Sequence, residues 1–321
     1  PAPRPTHLLL GCGTSYHAAL LGERYLAALT HLPARALVAS EFQPPTTPLA
    51  GAWAVALSQS GETADTLTAL QQAREAGCWT VALTNAPQST LARLADATLD
   101  LRAGPEVSVA ATKTFLAQLT LLALLALHLA QHGADGVHPP AALERLATDL
   151  HRLPARVQQL LLREEALAAL AAPLAEAHHA FLIARGALLP AALEGALKLK
   201  EVAYLHAEGC PAGELKHGPF ALLEPTTPVL ALLGPDAHRP RVLTAIKEVK
   251  ARGAPVYALA PEDDPEVAHL VDGVVGLPPT HPLLQPALAT VALQLLTYHA
   301  ARRRGCPIDR PRNLAKSVTV P

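Results

Sequence analysis

Six consecutive residues, Ser58-Gln59-Ser60-Gly61-Glu62-Thr63, set three hydroxyls and a glycine directly after an apolar run at 53–57. Short hydroxyl side chains beside helix-end N–H groups suit a phosphate monoester, because each supplies a donor without bulk. Two further runs share this character. Gly11-Cys12-Gly13-Thr14-Ser15 closes an apolar run at 7–11, and Gly104-Pro105-Glu106-Val107-Ser108-Val109-Ala110-Ala111-Thr112-Lys113 follows a weaker one at 98–101. Any one of these could be an ordinary helix N-cap. Three of them at one edge of one sheet favour a ligand. Two other phosphate signatures fail. Gly11-Cys12-Gly13 lacks the third glycine of the dinucleotide fingerprint, with only Glu41 as its acidic partner, and no G-x-x-x-x-G-K-[ST] occurs.

A second constellation is acid–base in kind. Glu194-Gly195-Ala196-Leu197-Lys198-Leu199-Lys200-Glu201 spaces carboxylate, ammonium and carboxylate along one helix face. On spacing alone, an exposed ladder of ion pairs is the plainer reading. At a cleft, the ammonium would stabilise an enolate oxygen while the carboxylate moves a proton between carbons. His217 stands in the loop-forming, doubly charged run Ala212-Gly213-Glu214-Leu215-Lys216-His217-Gly218-Pro219, where a ring-opening acid or base would fit. A lone histidine is more often structural. Lys316, in Asn313-Leu314-Ala315-Lys316-Ser317, is either a solvated terminal lysine or, folded into a pocket, an amine able to form a Schiff base with a ketose.

Such residues need a scaffold that collects loops at one edge. The chain alternates strand-like runs (7–11, 53–57, 79–84, 98–101, then 180–184, 228–233, 255–260, 273–277) with helical ones such as 16–30 and 64–76. That alternation implies parallel sheets with crossover helices, and in such sheets ligands sit at the carboxyl ends of strands. Arg74-Glu75-Ala76-Gly77-Cys78-Trp79-Thr80-Val81-Ala82-Leu83 resembles Lys250-Ala251-Arg252-Gly253-Ala254-Pro255-Val256-Tyr257-Ala258-Leu259, a helix stop at glycine followed by a strand in both. The fold class expected is therefore α/β, two related doubly wound domains. The boundaries expected are 1–140, a helical connection at 141–172 punctuated by Pro154 and Pro173, 173–304, and a tail at 305–321 that lies on the surface or over a site.

Composition bounds the rest. A length of 321 residues favours two domains, and 50% hydrophobic against 17% charged residues suffices for packed cores. Aromatics make up only 3%, so those cores must be aliphatic. A net charge of −1, with Arg302-Arg303-Arg304 as the one short basic cluster at a helix end, argues against a nucleic-acid partner. Cys12, Cys78, Cys210 and Cys306 form no CxxC pair, which predicts a reducing, cytoplasmic setting. The apolar run 114–129 is shorter than the ~20 residues of a membrane span and carries Gln118, so a core helix and no membrane association are expected. No His/Cys/Glu spacing supports a metal, and no cofactor is expected. The chain has no methionine and reaches a strand almost at Pro1, which predicts further residues upstream.

Cys12-Gly13-Thr14-Ser15, residues 58–66, residues 194–201, Gly213 to Pro219 and residues 311–320 closely resemble, in the same order, the isomerase half of the glucosamine-6-phosphate synthases. These are the isomerizing glutamine–fructose-6-phosphate aminotransferases. The resemblance runs from about residue 7 to the end. It implies two sugar-isomerase (SIS) domains, a tail that closes the site, and a hexose 6-phosphate bound by Cys12, Gly13, Thr14, Ser15, Ser58, Gln59, Ser60, Thr63, Val109 and Ala111. Lys316 would form the imine at C2 of the open-chain ketose. Glu201 would carry the proton between C1 and C2 with help from Lys198, which reverses the plainer reading of that helix. His217 would open the ring, reaching the site of a neighbouring subunit, so a homodimer or larger assembly is expected.

Two departures matter. The family usually has Ser where this chain has Ala111, and residues 104–113 look more like stand-alone SIS deaminases and isomerases of amino-sugar phosphates. No cysteine glutaminase segment is present, so nitrogen from glutamine would need such a domain upstream or in trans. The alternatives are a stand-alone amino-sugar-phosphate deaminase or isomerase, and a non-enzymatic sugar-phosphate sensor.

Overall fold

The computed structural model describes residues 6–44, 49–132 and 139–319. The chain divides into two compact units, Pro1–Ala147 with Ala315–Pro321, and Thr148–Leu314.

In the first unit the apolar segments β1 (His7–Gly11), β3 (Trp53–Ser58) and β4 (Trp79–Thr84) are the middle of a parallel sheet. β2 (Ala34–Val38) and β5 (Ala97–Asp100) form its edges, in the order β2-β1-β3-β4-β5. Strands buried on both faces read as continuous apolar runs, which is why the inner ones are visible in sequence. β2 is not. Ala34-Arg35-Ala36-Leu37-Val38 is half-exposed at an edge, and only Ala36 is buried. Helices α1 (Thr14–Thr30), α2 (Ala64–Glu75), α3 (Thr90–Leu94) and α4 (Lys113–His132) follow β1, β3, β4 and β5. Leu8, Leu10, Ala54 and Ala56 pack with Ala69, Leu70, Ala73 and Leu91 of α2 and α3, while α1 packs against α4.

Helix α4 is 20 residues long, with the length and hydropathy of a membrane span. The shorter apolar run expected from sequence is extended by Lys113 at one end and Ala130-Gln131-His132 at the other. Phe115, Gln118, Leu119, Leu122 and Ala126 form its buried face.

The second unit repeats the plan. β6 (His179–Ala184), β7 (His206–Pro211), β8 (Val229–Leu232), β9 (Val256–Pro261) and β10 (Gly273–Leu277) pair in the order β10-β9-β8-β6-β7, again all parallel. Adding five to each strand number of the first sheet gives the second, so the faint sequence repeat reflects one topology used twice. The second edge strand, β7, also escapes a reading by apolar runs. In His206-Ala207-Glu208-Gly209-Cys210-Pro211 only Ala207 and Cys210 are buried, and its proline is tolerated at an edge.

Before β6 come α5 (Pro140–Leu161) and α6 (Glu164–Glu176), and α7 (Leu189–Ala203) joins β6 to β7. Later come α8 (Arg239–Lys250), α9 (Pro265–Leu270) and α10 (Gln285–Arg303). Pro154 and Pro173 do not punctuate the helical stretch; they lie inside α5 and α6. The stripe Leu143, Leu146, Leu150, Leu153 and Leu160 is buried on both sides of Pro154, and this burial carries α5 past the missing N–H.

Candidate functional site

Sheet order 2-1-3 reverses direction between β1 and β3, which lie side by side with Leu8 opposite Ala54 and Leu10 opposite Ala56. Their carboxyl ends therefore open the crevice where doubly wound sheets bind ligands. The loops 12–13 and 59–63 leave from those ends and enter α1 and α2. If their hydroxyls were only helix caps, they would cap these helices. They do not: the N-cap positions, Gly13 and Thr63, make no side-chain cap bond, whereas α3 is capped by Ser89.

The hydroxyls instead build the loop. Ser58 is buried, and its Oγ accepts the Gly61 N–H at 3.0 Å and shares a hydrogen bond with Thr63 Oγ1 at 3.1 Å. Ser60 Oγ accepts from the Glu62 N–H at 3.2 Å. Gly61 has φ 67°, and a Cβ there would lie 2.0 Å from Ser89 Oγ. Only glycine fits that turn. The Glu62 carboxylate accepts the Thr90 N–H at 2.8 Å at the start of α3, and these bonds from Thr90 hold its carboxyl below the usual range. Glu62 thus braces the loop.

On the neighbouring loop, Ser15 lies in the first turn of α1 and its Oγ accepts from Gln118 Nε2 at 3.0 Å. Cys12 Sγ lies 3.9 Å from Thr66 Oγ1. In the third loop, one carboxylate organises the chain. Glu106 accepts from the Thr112 N–H at 2.8 Å, from Thr112 Oγ1 at 3.0 Å, and from Thr114 Oγ1. Val109 and Ala111 are carried on this clamped turn, half-exposed. The end of the chain docks on the same unit. Lys316 Nζ donates to Ser108 O at 2.6 Å, and Val318 O accepts the Ala64 N–H at 3.2 Å. The terminal lysine is therefore folded onto the third loop, and the tail caps the first N–H of α2.

In the second unit, Glu194, Lys198 and Glu201 fall on one stripe of α7, a helix whose small residues Ala191, Ala192, Gly195 and Ala196 allow close packing. Against expectation from spacing alone, the ladder is not exposed. Lys198 and Glu194 are buried, while the Glu201 side chain keeps 23% of its surface. Lys198 Nζ lies 2.5 Å from Glu201 Oε2 and 3.3 Å from Glu194 Oε1. Burial works to lower the lysine pKa, but the charges of Glu194 and Glu201 and their hydrogen bonds outweigh it, and the net direction is up. Held between two carboxylates, Lys198 is placed to act as a cation.

Glu201 opens on a cavity of about 380 Å³, together with Tyr204, His206, Arg312, Asn313 and Leu314. Tyr204 caps α7 in the left-handed region (φ 52°). Its hydroxyl accepts the Arg312 N–H at 2.7 Å, and the Arg312 guanidinium lies over its ring at 4.4 Å. This latch ties the start of the tail to the helix that carries Glu201.

His217 is exposed in the turn Glu214–His217 after the carboxyl end of β7, whereas the Glu201 cavity lies where α7 hands over to the amino end of β7. Within this unit the two are not brought together. Gln118, Glu106, Tyr204 and Arg312 are residues that sequence reasoning passed over. Of these, only Gln118 left a signal, as the lone amide of the apolar run 114–129.

The SIS-domain family model matches residues 3–128 and 173–302. An isomerizing glutamine–fructose-6-phosphate aminotransferase of Methanosarcina acetivorans is 47% identical over 97% of this chain. One of Pseudomonas aeruginosa is 44% identical over the same share. This chain spans about half the length of these curated relatives (50% and 51%). Among solved structures, the C-terminal domain of glucosamine-fructose-6-phosphate aminotransferase from Francisella tularensis superposes with a TM-score of 0.89. It is 32% identical, over 95% of this chain and 87% of that one. Glucosamine-6-phosphate deaminase of Thermotoga maritima gives 0.78 at 25% identity, over 98% and 90%. The chain belongs to the SIS-domain family, with two such domains in tandem.

Proposed function

We propose that this double-SIS chain is the isomerase half of a glutamine–fructose-6-phosphate aminotransferase, converting fructose 6-phosphate and ammonia to glucosamine 6-phosphate. The observation that carries the reading is the buried Lys198 held against a part-exposed Glu201 on a cavity wall. A sensor would need only the phosphate loops, and a buried cation facing a presented carboxylate would then serve no purpose.

In this reading Cys12, Gly13, Thr14, Ser15, Ser58, Gln59, Ser60 and Thr63, with Val109 and Ala111, hold the phosphorylated sugar. His217 of a neighbouring copy moves the anomeric hydroxyl proton toward the ring oxygen, opening the ring; its exposure suits service to another subunit. The neutral Lys316 amine attacks C2, water leaves, and ammonia then displaces the lysine to give the free imine. Glu201 removes a C1 proton and returns it to C2, the imine nitrogen gains a proton as the O1 hydroxyl loses one, and C1 becomes the aldehyde beside a C2 amine. The Lys198 cation stabilises charge on O1 in between. Ammonia would come from a glutaminase domain upstream or in trans, as the half-length coverage of the relatives suggests. The four free thiols suit a reducing cytoplasm.

A second reading, a stand-alone amino-sugar-phosphate deaminase, draws on the full-length likeness to the Thermotoga enzyme. The test is to supply fructose 6-phosphate with ammonium, and glucosamine 6-phosphate alone, and to follow both by NMR. Net formation of glucosamine 6-phosphate from the first mixture, with a borohydride-trapped adduct lost in Lys316→Ala, is expected. Fast deamination of the second would overturn the synthase reading, and binding without turnover in either would favour the sensor.

A further inference from the structure

Gln118 is 1% exposed on the buried face of α4, and its Nε2 donates to Ser15 Oγ at 3.0 Å. Its Oε1 is buried with no hydrogen-bond partner among the described residues. A buried, half-satisfied amide is destabilising, and a leucine would fill the same space. Its orientation has a consequence for Ser15. A serine hydroxyl has one proton and two acceptor lone pairs. With a lone pair occupied by the Gln118 amide, the Ser15 proton must point elsewhere; Ser15 follows loop 12–13, which leaves the carboxyl end of β1 at the crevice. A carboxylate at position 118 would do the opposite and draw the proton inward.

We propose that Gln118 is a positioning residue that fixes the polarity of Ser15, holding its hydroxyl as a hydrogen-bond donor toward an anionic oxygen in the crevice. This rests on the reading that Ser15 faces the phosphorylated sugar. The amide N–H withdraws electron density from the hydroxyl it contacts, which makes Ser15 a stronger donor, and charge-assisted bonds to phosphate gain most from that. The same geometry disfavours a ligand that could only donate to Ser15.

The test uses the full chain and two probes, inorganic phosphate and fructose 6-phosphate, by calorimetry, with neutral fructose as a control. Ser15→Ala reports on the underlying reading. Gln118→Leu removes the orienting amide without adding charge and should weaken both anionic probes by about 10-fold to 100-fold, with fructose unaffected. Gln118→Glu supplies the readout that packing alone would not move. Relative to wild type at each pH, its anion affinity should be low at pH 8, where an ionised carboxylate turns the Ser15 proton away. It should recover as acidification protonates the introduced carboxyl group and restores a donor. If Ser15→Ala binds both probes normally, the sugar-phosphate assignment of this loop fails and the proposal with it. If Ser15→Ala weakens binding but a folded Gln118→Leu does not, or if Gln118→Glu shows a pH-independent ratio to wild type, Gln118 has no such role.

Discussion

Lys198 Nζ sits 2.5 Å from Glu201 Oε2, and the buried Glu194 approaches the same ammonium from one turn earlier at 3.3 Å. The three groups are unequal. Glu194 is sealed and neutralises the lysine, whereas Glu201 reaches a cavity. Glu201→Gln should keep the fold, since one carboxylate still faces Lys198, and should cut isomerisation by about 100-fold to 10,000-fold. Lys198→Met should instead unfold early, by about 3–5 kcal/mol, because the buried Glu194 loses the ammonium that lies 3.3 Å from it. Melting curves and turnover measured together separate the two. Unchanged turnover in Glu201→Gln would sink the proton-transfer assignment. The raised lysine pKa also has a sign: the pair's contribution is fully present below the ordinary lysine value near 10.5 and is lost only as pH rises past the higher folded value.

His7 gives the opposite pH dependence. Its ring lies against that of Trp53, centroids 4.3 Å apart and tilted by 38°, its Nδ1 accepts the Trp53 backbone N–H at 3.2 Å, and burial pushes its pKa down to about 4 from 6.5. Between those values the unfolded chain binds a proton that the folded chain does not. Stability should therefore fall as pH drops from about 6.5 to about 4, by roughly 1–2 kcal/mol after allowance for solvent screening. Urea unfolding at pH 7 and pH 4.5 measures this. His7→Asn, which keeps an acceptor but cannot titrate, should lose less across that window; an equal loss would point to another group.

Gly61→Ala should damage the 58–63 loop in two ways. The φ of 67° strains any side chain, and the added Cβ would meet Ser89 Oγ at 2.0 Å. A cost of about 1–3 kcal/mol is expected, with a loss of phosphate affinity that exceeds the change in melting temperature. Pairing it with Ser89→Gly should relieve the clash but not the strain, so partial recovery is the expected outcome. Full tolerance of Gly61→Ala alone would show that the loop has another stable form.

Tyr204→Phe keeps the ring under the Arg312 guanidinium and removes only the hydroxyl that accepts the Arg312 N–H. Loss of that one bond, worth about 1 kcal/mol, should loosen the tail at the cavity wall. Limited trypsin digestion should then cut after Arg312 faster than in wild type, with a nearly unchanged melting temperature. Equal cleavage rates would mean that the latch is held by stacking alone.

The order of elements, the inner strands, the hydroxyl loops and the stripe of Glu194, Lys198 and Glu201 are all legible in the linear chain, because each is written in neighbouring residues with a fixed period. Two of the four edge strands are not, since the half-exposed segments 34–38 and 206–211 leave no apolar run. Whether a charged stripe faces water or a core is also not a local property; burial of Lys198 depends on what packs over α7. The same holds for contacts across long stretches of chain. Gln118 reaches Ser15 over 103 positions, Arg312 reaches Tyr204 over 108, and Lys316 reaches Ser108 over 208. Each partner looks ordinary in its own neighbourhood, and only the packing of helices on a sheet, with the tail laid back upon it, decides which polar atoms meet.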